Sequence, residues 1–193
     1  MIKQHSEKAA KVIKHPEDMF IDMVRRAGGA LAIATRNCKC LRVATMCSGT
    51  EAPLVALDFI RNALKVVHGI DMEIEHVFSC EIEPFKQAYI EVNFAPKKLF
   101  RDIRELAAGF ATTNYGSIVE VPSDVDILIA GTSCVDNSTL NRYPKDGRDG
   151  GGESAQTYQA MMAWIKKNRP GMVIQENTCN APWDKMKSTA LIG

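Results

Sequence analysis

The sequence predicts an α/β protein built on a doubly wound parallel sheet. Apolar segments with strand character alternate with amphipathic helical segments, an order that indicates parallel strands joined by crossover helices. Polar clusters follow directly after four of the apolar segments, where open parallel sheets bind their ligands. The chain has 193 residues, 46% of them hydrophobic, which is enough to bury the core of one such domain.

Hydrophobic periodicity divides the chain into an N-terminal part and a larger α/β domain. Residues 1–40 are predicted to form a polar arm and a helix that Gly28 and Gly29 interrupt. Residues 41–193 hold the α/β domain, whose strands are predicted at 41–47, 73–80, 97–103, 124–131 and 172–177. Its helices are predicted at 52–67, 84–94 and 154–168. Doubly wound sheets usually continue further, so we expect this domain to be incomplete at its C-terminus.

Charge and cysteine content narrow the class of protein. The net charge of +1 predicts no overall attraction to a polyanion, so a nucleic-acid partner would need a local basic patch. Cys47, Cys80 and Cys134 each end an apolar segment, which is unlike a disulfide-stapled secreted fold and favours a reducing intracellular compartment. Cys38 and Cys40 are too close together for the usual zinc spacing, so we predict no metal site. No apolar segment approaches the length of a membrane span.

The first polar cluster is Cys47-Ser48-Gly49-Thr50-Glu51, a turn between a predicted strand and a predicted helix. Gly49 permits close approach of the backbone to a ligand, and the helix that follows offers free N–H groups. The cluster lacks the lysine of a phosphate-binding loop, so it does not predict phosphate binding. A tight turn with no ligand is the alternative interpretation.

The second cluster, Glu81-Ile82-Glu83, follows the next strand. An acidic residue at this place commonly accepts hydrogen bonds from a ribose diol, as in nucleotide and adenosyl cofactor sites. The alternative is a solvated carboxylate that the dipole of the next helix stabilises.

The third and fourth clusters, Thr132 to Ser138 and Glu176-Asn177, suggest covalent chemistry. Cys134 would gain thiolate character from nearby helix N-termini or a cation. Glu176 ends another strand, so the fold can bring a thiol and a proton-donating carboxyl to the same edge. An inert, half-buried cysteine is the alternative for Cys134, and Asn177 either fixes the Glu176 loop or caps a turn.

In order and spacing, these stretches resemble the motifs of the cytosine-C5 DNA methyltransferase family across about residues 41–183. "ATMCSGTEAPLVAL" and "SCEIEP" look like its first two cofactor motifs, and "FRDIREL" is similar to the third. "GTSCVDNS" matches the family's Pro-Cys-Gln-x-x-Ser motif in its Cys and Ser, with Ser133 in place of the proline and Val135 in place of the glutamine. "QENT" corresponds to the Glu-Asn-Val motif. The Thr-Ser-Cys variant looks closest to a divergent branch in fungi and other microbial eukaryotes.

The resemblance implies a Rossmann-like fold that binds S-adenosylmethionine. In it Glu81 would hold the cofactor ribose, Asp102 and Ile103 would contact the adenine, and the other binding residues would be Cys47, Ser48, Gly49, Thr50, Glu51, Ile82 and Thr132. The resemblance also implies that Cys134 attacks cytosine C6 while Glu176 protonates or hydrogen-bonds N3 and Asn177 positions Glu176. The base would have to leave the DNA stack.

The same resemblance leaves three functions open. The first is DNA methylation by a segment of a longer chain, in the nucleus of a eukaryote or otherwise in the cytoplasm. The second is methylation of RNA, and the third is a truncated, inactive cofactor-binding or scaffold domain. The family's recognition region would lie beyond Gly193. Arg142, Lys145 and Arg148 would contact phosphate or form a solvated loop.

Overall fold

The computed structural model describes residues 13–138 and 152–184, so Arg142, Lys145 and Arg148 lie outside the described residues. The described chain forms two compact units. The first comprises the residues up to Lys39 together with Val55–Glu73, and the second comprises Cys40–Leu54 together with the residues from Ile74 onward. None of the helices in the described ranges has the length and apolar character needed to cross a membrane.

The first unit is helical. Helix α1 spans Pro16–Thr35, and most of α2, which spans Ala52–His68, belongs to the same unit. Gly28 has φ 60° and ψ −150°, a conformation that breaks the helical path, so the predicted interruption is confirmed. Phe20 and Phe59 stack with their ring centroids 5.2 Å apart, and Val24, Ala32, Ala63 and Leu64 are buried in the same unit.

The central sheet has five strands. They are β1 (Cys40–Met46), β2 (Glu73–Cys80), β3 (Leu99–Phe100), β6 (Ile127–Gly131) and β7 (Met172–Glu176). The connecting helices are α3 (Pro84–Phe94) and α4 (Glu153–Asn168). A 3₁₀ helix (Ile103–Ala108) and a separate antiparallel hairpin of β4 (Phe110–Thr112) and β5 (Ile118–Glu120) complete the second unit.

The strand order is β3-β2-β1-β6-β7, and the pairs β1–β6, β2–β3 and β6–β7 are parallel. The α/β fold class with a mostly parallel central sheet is therefore confirmed. The chain winds outward in one direction from β1 and in the other from β6. The carboxyl ends of these two neighbouring strands form the switch point at which such sheets bind ligands.

The structure differs from the prediction at the third strand, at the fourth strand, which begins at Ile127 and not at 124, and in a hairpin that the sequence did not indicate. The strand predicted at 97–103 is reduced to Leu99–Phe100, because Asp102 begins the 3₁₀ helix by accepting a hydrogen bond from Arg104 N at 2.9 Å. The hairpin of β4 and β5 was not predicted, since strands of three residues are too short to show a periodic pattern.

Aromatic rings fill the centre of the second unit. Phe78, Phe100 and Trp164 are all fully buried, and the Phe78 ring meets each of the other two edge-on at a centroid distance of 5.7 Å. The core extends to Met46, Leu106, Leu128 and Met161. This packing joins α4 and the 3₁₀ helix to the sheet, and thereby fixes the segments that follow the strands.

We predict that Trp164→Ala lowers the free energy of unfolding by about 3–5 kcal/mol, because it removes a fully buried indole. Trp164→Phe should cost much less, since the indole Nε1 has no hydrogen-bond partner within the described residues. Phe110→Ala is the matched control, because that ring is 62% exposed. Urea unfolding of the three variants would measure the differences, and equal losses for Trp164→Ala and Phe110→Ala would contradict the assigned core.

Candidate active site

A cavity of about 880 Å³ lies at the carboxyl edge of the central sheet, and we call it the edge cavity. The segments that follow β1, β2 and β6 line it, together with the last residue of β7 and the start of the 3₁₀ helix. Glycine and thiol groups, carboxylates and two cations meet there. The cavity therefore occupies the place that the strand topology assigns to a ligand.

The turn after β1, residues 47–51, forms one wall of the edge cavity. Cys47, Gly49 and Glu51 all have positive φ angles, of 52°, 58° and 56°, which only glycine adopts readily. Gly49 N donates a hydrogen bond to Glu81 Oε2 at 2.7 Å, and Ser48 N donates to the carbonyl of Cys80 at 3.1 Å. Nothing lies within 4 Å of where a Cβ of Gly49 would stand, so this backbone faces open space.

Glu81 is the best-placed acceptor for a polar ligand. Its side chain lines the edge cavity, although the residue is only 4% exposed. The two carboxylate oxygens accept from the amides of Gly49 at 2.7 Å and Glu83 at 3.0 Å, and Lys86 Nζ lies 4.0 Å from Oε1. A carboxylate offers about four acceptor sites, so Glu81 retains capacity for hydroxyl donors such as those of a diol.

Glu51 lies under the turn. The residue is fully buried and is not among the residues that line the cavity. Its Oε1 accepts hydrogen bonds from Thr45 Oγ1 at 2.7 Å and from the Ser79 hydroxyl, which is 2.8 Å from His76 Nε2. Burial raises the pKa of Glu51 and lowers the pKa of His76 to about 4, so both groups favour their neutral forms. Glu51 thus supports the turn from the core, and this is the role its geometry favours over direct ligand contact.

Asp102 and Ile103 line the cavity beside Arg104. The Asp102 carboxylate accepts from the Arg104 guanidinium, with Nη2 2.7 Å from Oδ2, and this hydrogen bond lowers the pKa of Asp102. A charged carboxylate is therefore held at the edge of the site by the turn of the 3₁₀ helix that it also caps.

Cys134 and Glu176 both line the edge cavity, Cys134 from the loop after β6 and Glu176 from the end of β7. Glu176 pairs in register with Gly131, where a Cβ would stand 3.4 Å from Glu176 Oε2. The glycine thus leaves room for the carboxylate beside the strand that leads to Cys134. The structure brings these two predicted catalytic residues to one cavity.

Asn177 contributes through the loop that carries Cys134. We call residues 132–138 the nucleophile loop. Asn177 Nδ2 donates to the carbonyl of Thr132 at 3.0 Å and lies 3.1 Å from its Oγ1, while its own Oδ1 accepts from Thr178 N at 2.8 Å. Asn177 is not among the lining residues. Its amide links the end of β7 to the start of the nucleophile loop.

The cysteines around the cavity differ in exposure. Cys134 is exposed, Cys47 is half-buried and Cys80 is buried. Burial, reinforced by the charge of Glu81, raises the pKa of Cys47 to about 12. Burial also raises the pKa of Cys80 well above its usual range. These two thiols stay protonated at neutral pH, and Cys134 is the exposed thiol among the three cysteines that line the cavity.

Most of the predicted cofactor-binding residues line the edge cavity. These are Cys47, Gly49, Glu81, Ile82, Asp102, Ile103 and Thr132, whereas Ser48, Thr50 and Glu51 are not among the lining residues. The sequence interpretation missed several groups that face the cavity from helices, namely Lys86, Arg104, Glu153, Gln156 and Thr157. Helical periodicity separates buried from exposed faces but does not show that a polar helix start faces a cavity.

Comparison with known proteins decides the family. The profile described as "C-5 cytosine-specific DNA methylase" matches residues 57–184. A protein named "DNA (cytosine-5-)-methyltransferase DMT5" from Cryptococcus neoformans var. grubii is 57% identical over 171 residues, which cover 88% of this chain and 7% of that protein. A protein of the same name from Verticillium dahliae is 30% identical over 223 residues, covering 90% of this chain and 9% of that protein.

The chain belongs to the C-5 cytosine-specific DNA methylase family. The predicted family resemblance, including its fungal branch, is confirmed. The methylase match includes Glu81, Asp102, Cys134 and Glu176, while the turn at 47–51 precedes it. The chain spans less than a tenth of the length of either methyltransferase relative.

In this chain, Glu51→Gln is predicted to change the pH dependence of stability. Burial raises the pKa of Glu51 above its ordinary value of 4.5, so the folded state keeps a proton that the unfolded chain releases. The stabilisation is complete below pH 4.5 and is lost as pH rises toward the folded-state pKa. Glutamine keeps an acceptor for Thr45 and Ser79 but does not titrate.

The free energy of unfolding of Glu51→Gln, relative to wild type, should therefore increase as the pH rises above 4.5. Urea titrations across this range would measure it, and Glu83→Gln serves as the control on an exposed side chain. His76 is present in both proteins, so its opposite contribution cancels in the difference. A difference that stays constant with pH would contradict a neutral, buried Glu51.

Proposed function

We propose that this chain is the catalytic segment of an S-adenosylmethionine-dependent DNA cytosine-C5 methyltransferase. The observation that carries the proposal is the meeting of Cys134 and Glu176 at one cavity that also presents Glu81. A nucleophilic thiol, a carboxyl group and an acceptor for a ribose are the three groups that this reaction requires of the protein.

The residues of the edge cavity suit an adenosyl cofactor. Glu81 has spare acceptor capacity for ribose hydroxyls, and the open space over Gly49 admits a ligand against the backbone. Asp102 and Ile103 offer a polar and an apolar contact for a purine at the neighbouring wall. S-adenosylmethionine, when bound, supplies an electrophilic methyl group.

Cys134 and Glu176 would activate the cytosine. The ring carbon C5 becomes nucleophilic only after addition at C6, so the Cys134 sulfur would form a bond to C6. The Glu176 carboxyl would donate a hydrogen bond or a proton to N3, which receives the electron density that the addition displaces. After C5 is methylated, loss of the C5 proton restores the double bond and releases the Cys134 thiolate.

The exposed position of Cys134 suits a base that enters the cavity from outside the protein. A cytosine stacked in a duplex cannot reach it, so the target base would be flipped out. Family and relatives are both named for action on DNA, and no observation favours RNA as the substrate. The likeness to fungal relatives supports a nuclear location and action within a longer chain.

We predict that Cys134→Ala abolishes methyl transfer to a cytosine-containing DNA duplex. The other two thiols at the cavity, Cys47 and Cys80, are not exposed, and burial raises their pKa values. Glu176→Gln should lower the rate by about 10²-fold or more, the contribution typical of a positioned proton donor. Transfer of a radiolabelled methyl group by the purified full-length protein would measure both effects.

Cys179→Ala is the matched control, since Cys179 is equally exposed but is not among the residues that line the cavity. It should methylate DNA at the wild-type rate. Activity retained in Cys134→Ala would overturn the covalent mechanism. A wild-type protein that binds S-adenosylmethionine and yet transfers no methyl group would instead favour the inactive scaffold.

A further inference from the structure

Helix α4 holds the nucleophile loop through an exchange of two hydrogen bonds. Asp136 N donates to Ser154 Oγ at 3.0 Å, and Ser154 N donates to Asp136 Oδ2 at 2.9 Å. Ser154 is only 5% exposed, and the Gly152 N-cap of α4 makes no side-chain cap of its own. The Asp136 carboxylate therefore caps the first turn of α4. A negative charge at the N-terminus of a helix is also stabilised by the helix dipole.

A second contact joins the same two elements next to Cys134. Ser133 N donates to Thr157 Oγ1 at 3.2 Å, and the Thr157 hydroxyl in turn lies 3.0 Å from the carbonyl of Glu153. A proline at position 133 would have no N–H to donate. The serine found here therefore allows a hydrogen bond that the proline of the family pattern excludes.

Between these contacts the loop forms a tight turn around Cys134. The Cys134 carbonyl accepts hydrogen bonds from Asn137 N at 3.0 Å and Ser138 N at 2.9 Å. The backbone is thus fixed to α4 on either side of Cys134, at Ser133 and at Asp136, and to Asn177 at its start. We call the Ser133–Thr157 and Asp136–Ser154 contacts the α4 clasp.

We propose that Ser154 and Thr157 are positioning residues for Cys134, acting through the α4 clasp in place of a rigid proline. The proposal rests on the proposed function, because it concerns the orientation of the nucleophile in that reaction. Displacing a nucleophile by even about 1 Å slows its reaction strongly. A nucleophile loop without the proline therefore needs other contacts that fix its backbone.

Gly152 provides a sharp test of the clasp. A Cβ at this position would overlap Asp136 Oδ2 and stand 2.8 Å from its Cγ, too close for the carboxylate to remain where it is. Gly152 has φ −76°, which alanine adopts without strain, so the conflict with Asp136 is the specific effect of Gly152→Ala. Neither Gly152 nor Asp136 is among the residues that line the cavity.

We predict that Asp136→Ala and Gly152→Ala each slow single-turnover methyl transfer by the full-length protein about tenfold, the effect of one hydrogen-bonded contact. The double variant should be no slower than either single variant, because both changes remove the same contact. Asp136→Asn, which keeps an oxygen acceptor for Ser154 N, should restore most of the rate. The dissociation constant for S-adenosylmethionine should stay at the wild-type value in all four.

Thr157 gives an independent pair of variants. Thr157→Val removes the acceptor of Ser133 N at nearly constant shape and should slow the same step, whereas Thr157→Ser keeps the hydroxyl and should restore most of the lost rate. Hydrogen exchange of peptides across residues 132–138 should accelerate in Asp136→Ala, Gly152→Ala and Thr157→Val, with β2 peptides unchanged as the control.

Three results would overturn the proposal. Rates that multiply in the double variant would show that Asp136 and Gly152 act separately. Faster hydrogen exchange without slower methyl transfer would show that the clasp orders the loop but does not position Cys134. Unchanged hydrogen exchange in the three variants would show that the clasp does not order the loop at all. A wild-type protein without methyl transfer would contradict the proposed function itself, while hydrogen exchange would still decide whether the clasp exists.

Discussion

Parallel pairing of β1, β6 and β7 is the constraint on which the site depends. It places the carboxyl ends of these strands at one edge, and the reversal of winding between β1 and β6 opens a space there. The turn at 47–51, the nucleophile loop and Glu176 meet at that edge for this reason alone, although they are far apart in sequence. Side-chain chemistry then refines a position that backbone topology has already set.

Hydrogen bonds hold each segment at this edge in place. Glu51 supports the turn after β1 from the core, and Glu81 ties that turn to the end of β2 while still facing the cavity. Asn177 and α4 do the same for the nucleophile loop from two sides. Burial also distinguishes the thiols, because it keeps Cys47 protonated and leaves Cys134 accessible. The same fold thus orders the site and determines which of its thiols is accessible.

The sequence predicted the parts of the structure that depend on local pattern. The bounds of β2 and α3 were predicted to the residue, and Pro84 marks the first turn of α3. The placement of Cys134 and Glu176 at one edge followed from topology. The sequence did not predict that the Glu51 side chain points into the core, because a polar residue after a strand shows no preference for the core or the cavity. The contacts of Ser154 and Thr157 were also beyond prediction, since they join segments that only the tertiary fold brings together.

We expect the Cys134 sulfur to form a covalent bond to the cytosine ring, and this bond can be trapped. DNA with fluorine in place of the C5 hydrogen should arrest the reaction after methylation, because fluorine cannot be lost as the proton is. Incubation with S-adenosylmethionine, followed by proteolysis and mass spectrometry, should yield a methylated base attached to the peptide that contains Cys134. The absence of an adduct from a protein that methylates normal DNA, or an adduct on Cys47, would contradict the account.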